Sequence, residues 1–170
     1  MLKQGPYPGV GTGGSAPDTY LAFCWRFWYL TNVGGDIGVV LPRTVFSSAS
    51  SEDFRRELYE DSTITDITFL VNNRHWIFSD VHPQYTIALV SFKHQKPEGE
   101  GSIPVRGPFP DQASFESGIT SEPGRFSAEQ AKQWTGNAAL PLLPPHPEAA
   151  NVFEQIVNGH PGLNTEDVWK

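Results

Sequence analysis

One hundred and seventy residues suffice for one domain and fall short of two, at about 150 residues per domain. With 38% apolar, 12% aromatic and 18% charged residues the chain can bury a core, which excludes disorder throughout; 16 Gly and 15 Pro call for long stretches outside regular elements. The net charge is −7, with 7 Lys/Arg against 9 Asp/Glu in residues 1–94 and 5 against 10 in residues 95–170. That balance supplies no basic stripe of the kind that grips nucleic acid unaided.

Residues 1–16 hold Gly5, Pro6, Pro8, Gly9, Gly11, Gly13 and Gly14 and read as a flexible leader. The glycines from Gly9 to Gly14 are not a phosphate loop, because no apolar strand precedes them and no Lys-Ser/Thr follows. Asp18 then opens a helix, as N-cap or by placing its charge at the positive end of the helix dipole. From Tyr20 to Leu30 this helix is apolar nearly all round, which predicts burial on more than one face, and Asn32 to Gly35 ends it. Ile37 to Leu41, stopped by Pro42, fits a strand covered on both faces, as in a parallel sheet.

Ser50 or Ser51 caps a second helix that runs to about Asp61, with Phe54 and Leu58 inward and Arg55, Arg56 and Glu57 toward water. Ile64 to Val71 and Tyr85 to Lys93 are two further strands, close enough in sequence to pair antiparallel. Beyond His94 the texture is rich in Gly, Pro, Glu and Ser, with one short strand near Ile103 to Val105. A capping box, Ser127 with Gln130, starts a helix to about Trp134, and a proline-rich link leads to a helix from Glu148 to Val157. The reading is therefore a leader (1–16), an α/β unit (17–94) and an irregular, partly helical extension (95–170).

Independent chemistry is hard to assemble from these residues. The five histidines include no pair at i, i+3 or i, i+4, no Cys/His cluster has zinc spacing, and no metal is expected. Cys24 sits in the apolar helix as a core residue, where a thiolate nucleophile would need an electropositive, accessible setting. Ser47, Ser48, Ser50 and Ser51 form no Gly-x-Ser-x-Gly elbow, and Asp66 and Asp80 lack the carboxylate-x-Lys partner of a nuclease. No basic segment followed by an apolar stretch opens the chain, and Leu21 to Leu30, interrupted by Arg26, is too short to span a bilayer. A cytoplasmic protein without a membrane partner is the expectation.

The order of elements says more. An apolar helix, a Gly-Gly turn, a strand ending in Pro, a second helix and a β-hairpin resemble the last third of a class I methyltransferase sheet: the last parallel strand plus the C-terminal antiparallel hairpin. Asp18-Thr19-Tyr20-Leu21-Ala22-Phe23 resembles the segment after the catalytic tetrapeptide of adenine-N6 DNA methyltransferases, particularly the fused type IIG restriction-modification enzymes. Gly34-Gly35-Asp36-Ile37-Gly38-Val39-Val40-Leu41-Pro42 resembles their next strand, Phe54 to Leu58 the following helix, and Ile77-Phe78 with Tyr85 to Phe92 the final hairpin.

The resemblance covers roughly residues 5–94 and implies S-adenosylmethionine as cofactor and double-stranded DNA as partner. Phe23 matches the aromatic that packs on the cofactor's adenine, with Asp18 and Tyr20 supporting the pocket wall, and Phe78 matches the residue that stacks on a flipped target adenine. A core role for Phe23 or Phe78, and a surface-turn role for the flanking Trp76 and His82, stay open. The family's Asn/Asp-Pro-Pro-Tyr/Phe is absent, since Gly5-Pro6-Tyr7-Pro8 is not it, and so are the Gly-rich cofactor loop and the ribose-binding acid.

The chain is accordingly expected to be a C-terminal fragment of a larger methyltransferase, inactive alone, leading toward a target-recognition region. Its partners would be the rest of that domain, and a second copy through an exposed strand edge. The alternatives are a non-catalytic structural or interaction module, or a methyltransferase acting on RNA or protein.

Overall fold

In the computed structural model residues 19–135, 137–143 and 148–160 are described; the expected leader and Asp18 lie outside them. Helix α1 (Thr19–Leu30) leads into strand β1 (Asp36–Pro42), and two 3-10 turns (Arg43–Phe46, Ala49–Ser51) precede α2 (Glu52–Asp61). Then come β2 (Thr63–Val71), β3 (Thr86–Lys93), β4 (Ser102–Phe109), α3 (Gln112–Gly118), β5 (Gly124–Ser127), α4 (Ala128–Thr135) and α5 (Ala149–Gly159).

The strands form one five-stranded sheet in the order β1-β3-β2-β4-β5. β3 is antiparallel to both β1 and β2, which makes those two parallel to each other. The expected hairpin is thus present, with its returning strand inserted between the two parallel ones. β4 then pairs parallel with β2, and β5 antiparallel with β4. The short strand expected near Ile103 is a full member of the sheet; β5 and α3 carried no apolar run long enough to announce them.

The core lies between one sheet face and the helices: Ile37, Leu41, Ile67, Phe69, Ala88, Val90, Phe92 and Ile103 meet Leu21, Trp25, Trp28, Phe54 and Leu58. Burying each of the large aliphatic and aromatic side chains among them contributes about 1.5–3 kcal/mol. Trp28 stacks on Phe92 at 6.0 Å and Trp25 meets the edge of Phe54 at 5.5 Å, so α1 bridges the sheet and α2. At the α1–β1 turn Gly34 holds φ +83°, and a Cβ on Gly35 would lie 2.7 Å from Thr31 Cγ2; only glycines make this reversal. The His94 imidazole donates from Nδ1 to the Thr31 carbonyl at 2.8 Å, tying the end of β3 to the same turn.

Three local expectations are corrected. Among the described residues α1 is buried on one side only: Phe23, Phe27, Tyr29 and Leu30 remain exposed, as does Val40 of β1. Among the described residues β1 hydrogen-bonds to β3 alone, and they leave its outer edge and outer face without the cover that its apolar run predicts. Ser51 precedes α2, but its hydroxyl pairs with Tyr20 Oη at 3.2 Å and caps no helix amide. The capping box of Ser127 and Gln130 is made as expected, with reciprocal bonds of 3.0 and 2.8 Å.

Arg55 departs furthest from expectation, because it is 0% exposed. Its Nη1 donates to the carbonyls of Val45 (2.7 Å) and Ser48 (2.8 Å), its Nη2 to Asn137 (2.7 Å) and its Nε to Ala138 (3.1 Å). The helix face that the local pattern assigns to water is covered by a segment some 80 residues away in sequence, and burial pushes the guanidinium pKa down from its usual range. Removing the guanidinium leaves buried carbonyls unpaired, at about 1–3 kcal/mol each. Arg55→Ala is expected to lower unfolding stability by about 3 kcal/mol or more, while Arg56→Ala, at a half-exposed side chain paired with Glu52, changes it by less than about 1 kcal/mol. Chemical denaturation followed by circular dichroism distinguishes the two; equal midpoints would refute the role of Arg55.

Candidate functional site

β1, β2 and β4 run in one direction, so their carboxyl ends at Pro42, Val71 and Phe109 share one end of the sheet. In open α/β sheets ligands bind outside the carboxyl ends of the parallel strands. α1 returns antiparallel to β1 through a short turn, which carries Tyr20 back toward this end, where it reaches Ser51 beyond the end of β1. Tyr20 therefore braces the segment that follows β1.

The loop between β2 and β3 leaves from the same end. Its first residue, Asn72, is fully buried and uses all the hydrogen-bonding capacity of its amide. Nδ2 donates to the carbonyls of Phe78 (2.9 Å) and Val81 (2.8 Å), and Oδ1 accepts from the amides of Ile77 (3.1 Å) and Phe78 (3.0 Å). Trp76 donates from Nε1 to the Val71 carbonyl at 2.7 Å and packs its ring against Phe115 at 6.1 Å. Between them Arg74 and His75 take left-handed backbone angles, φ 53° and 60°, which cost about 1–3 kcal/mol each in residues with a Cβ. Phe78 itself stays 43% exposed.

Behind this loop α3 covers the second face of the sheet. Leu70, Ile87 and Phe109 are buried in one cross-strand row, and Phe115 meets the edge of Phe109 at 5.9 Å. A Cβ on Gly118 would lie 2.3 Å from the Phe109 ring, so α3 seats only with glycine there. The Asp111 carboxylate caps α3 and is held below its usual pKa range by the Ser114 amide, with a smaller contribution from Arg74.

The structure thus separates the residues singled out in the sequence. Phe78 is presented at the carboxyl end of the parallel strands. Phe23 is 56% exposed on the outer side of α1, and its ring contact is with Phe27 at 6.2 Å. Trp76 is a half-buried brace of the loop, and His82 is an exposed turn residue whose Nδ1 accepts from the Gln84 amide. Asp66 is engaged by Arg106 and accepts from the Thr68 hydroxyl at 2.6 Å. Asn72 was not foreseen; the Asn72-Asn73 pair marks a turn in sequence without revealing that one of the two is buried.

No protein-family profile matches the sequence, and no curated protein matches it. Solved structures do. A modification subunit of a putative type I restriction enzyme from Vibrio vulnificus YJ016 superposes with a TM-score of 0.56 at 16% identity, over 90% of this chain and 36% of that one. The M protein of the type I restriction enzyme EcoKI superposes with a TM-score of 0.50 at 16% identity, over 91% of this chain and 46% of that one. The mixed five-stranded sheet with its helices is thus similar in fold to part of these modification subunits. This chain spans less than half the length of either neighbour, and its β1-β3-β2 order agrees with the parallel strand plus antiparallel hairpin that the sequence resemblance implied.

Among the described residues no group of three or more His, Cys, Asp or Glu side chains converges to hold a metal, and no helix is long and apolar enough to cross a membrane. Burial pushes the Cys24 thiol up to about 12, so it is no nucleophile at neutral pH. Cys24 is expected to resist iodoacetamide at pH 8 in the native protein and to react at least about tenfold faster in denaturant; equal rates would contradict its burial.

Proposed function

We propose that this chain is part of a DNA adenine-N6 methyltransferase of a restriction-modification system and contributes part of the cofactor and target-base pocket. The observation that carries the reading is Phe78: a half-exposed aromatic ring, fixed by its backbone, at the carboxyl end of the parallel strands in a methyltransferase-like fold. An adenine extruded from duplex DNA has lost its stacking neighbours, and an aromatic face returns about 1–3 kcal/mol of that loss. Phe78 would receive the target base.

S-adenosylmethionine, when bound, supplies the methyl group. On this reading the exposed Phe23 ring offers a flat apolar surface for the cofactor's adenine, Tyr20 steadies the wall through Ser51, and Asp18 supports it from just before α1. The Gly-rich loop and the Asn/Asp-Pro-Pro-Tyr/Phe tetrapeptide, absent from these 170 residues, come from the rest of the domain, and the chain alone transfers no methyl group. That remainder would also cover Phe27, Leu30 and the outer edge of β1. β4, β5 and α4 belong to the same sheet and core, so the lead toward a target-recognition region would lie beyond them, and the complete enzyme would work on double-stranded DNA in the cytoplasm. The acidic balance suits a pocket wall whose basic groove lies in another part of the enzyme.

Two outcomes test this. Calorimetry at micromolar concentrations is expected to give no saturable S-adenosylmethionine binding to the isolated chain; tight binding would overturn the fragment reading. The open β1 edge is expected to drive the isolated chain into dimers or larger species that Val40→Lys disperses, since an edge lysine opposes strand pairing. A clean monomer by light scattering would remove self-association from the proposal.

A further inference from the structure

We infer that Asn72 is a positioning residue that holds Phe78 ready to receive a flipped base, an inference that rests on the proposed stacking role of Phe78. Three observations meet at this side chain. It is wholly buried, although Asn is mostly an exposed residue type. Its amide has two donors and one carbonyl oxygen, and each is satisfied by backbone of one loop, on both sides of Phe78: the Ile77 and Phe78 amides before the ring, the Phe78 and Val81 carbonyls after it.

The third is the cost of the shape it holds. Arg74 and His75 are both in the left-handed region, a conformation that persists only where the surroundings over-determine it. A short glycine turn would join β2 to β3 without that strain. The loop keeps a strained path whose one exposed product on the Asn72 frame is the Phe78 ring, its main chain gripped at both N–H and C=O. With the backbone fixed, the base of the ring is placed before DNA arrives, and the entropy of ordering that stretch of main chain is not subtracted from the stacking interaction.

Aspartate at 72 keeps the size and the acceptors but loses both donors and places a charge against the Phe78 and Val81 carbonyls; alanine removes the frame altogether. The test uses the complete enzyme carrying Asn72→Asp, Asn72→Ala, Phe78→Ala and the Asn72→Ala/Phe78→Ala pair. The readouts are the single-turnover methylation rate, the KM for S-adenosylmethionine, and affinity for a duplex with an abasic site in place of the target adenine. The Asn72 variants are expected to methylate about tenfold more slowly, the scale of one lost base–aromatic stack, with cofactor KM and abasic-duplex affinity unchanged. The double variant is expected to be no slower than Phe78→Ala.

Rate losses that multiply in the double variant would show that Asn72 acts other than through Phe78, overturning the inference while leaving the stacking role intact. Loss of cofactor or abasic-duplex binding in both Asn72→Asp and Asn72→Ala would assign Asn72 a merely structural role and also overturn it. A Phe78→Ala enzyme as fast as the unaltered one would instead sink the stacking role itself, and the inference with it.

Discussion

Four backbone carbonyls from two distant segments converge on the guanidinium of Arg55, and the framework depends on that convergence. The segment after β1 has to turn away from the sheet before α2 begins, which strips carbonyls of regular partners. A planar cation with several fixed N–H groups is suited to collect them. Because Asn137 and Ala138 supply half of the acceptors, the same side chain docks the segment after α4 against the first helical layer. The Leu140 amide adds a bond to the Phe46 carbonyl at 2.9 Å, and Ala131, Ala138 and Leu140 complete the core beneath. Two stretches far apart in sequence thereby become one body.

Asn72 solves a related problem at the other kind of place. Both residues are polar, wholly buried, and bonded to main chain rather than to other side chains. Arg55 holds a framework in which apolar packing already favours the same arrangement. Asn72 holds a loop whose own backbone preferences oppose its shape. Polar networks in a low-dielectric interior are costly when half satisfied and specific when complete, so each defines one geometry closely. The framework places the carboxyl ends of three parallel strands together, and the loop adds an aromatic ring to that end.

Large apolar side chains stay exposed on α1 (Phe23, Phe27 and Leu30) and on β1 (Val40). β1 is also a strand with one sheet neighbour among the described residues. An exposed apolar surface and an unpaired strand edge therefore both fall on these two elements.

Local sequence determined those features that depend only on near neighbours: the apolar helix, the Gly-Gly reversal, the strand ending at Pro42, the hairpin partners and the Ser127 capping box. Their order was enough to suggest the methyltransferase hairpin and to single out Phe78. Tertiary structure alone decided the rest. Hydrophobic periodicity reports which face of an element is apolar, not what covers it, so the burial of Arg55 and the exposure of Phe27 were beyond its reach. β4 and β5 join the sheet by pairing with strands already in place, a choice made by backbone hydrogen bonds that a Gly- and Pro-rich stretch does not advertise. Asn72 reads in sequence as a turn residue; only the folded loop gathers four backbone bonds around its amide and makes it the support of an exposed ring.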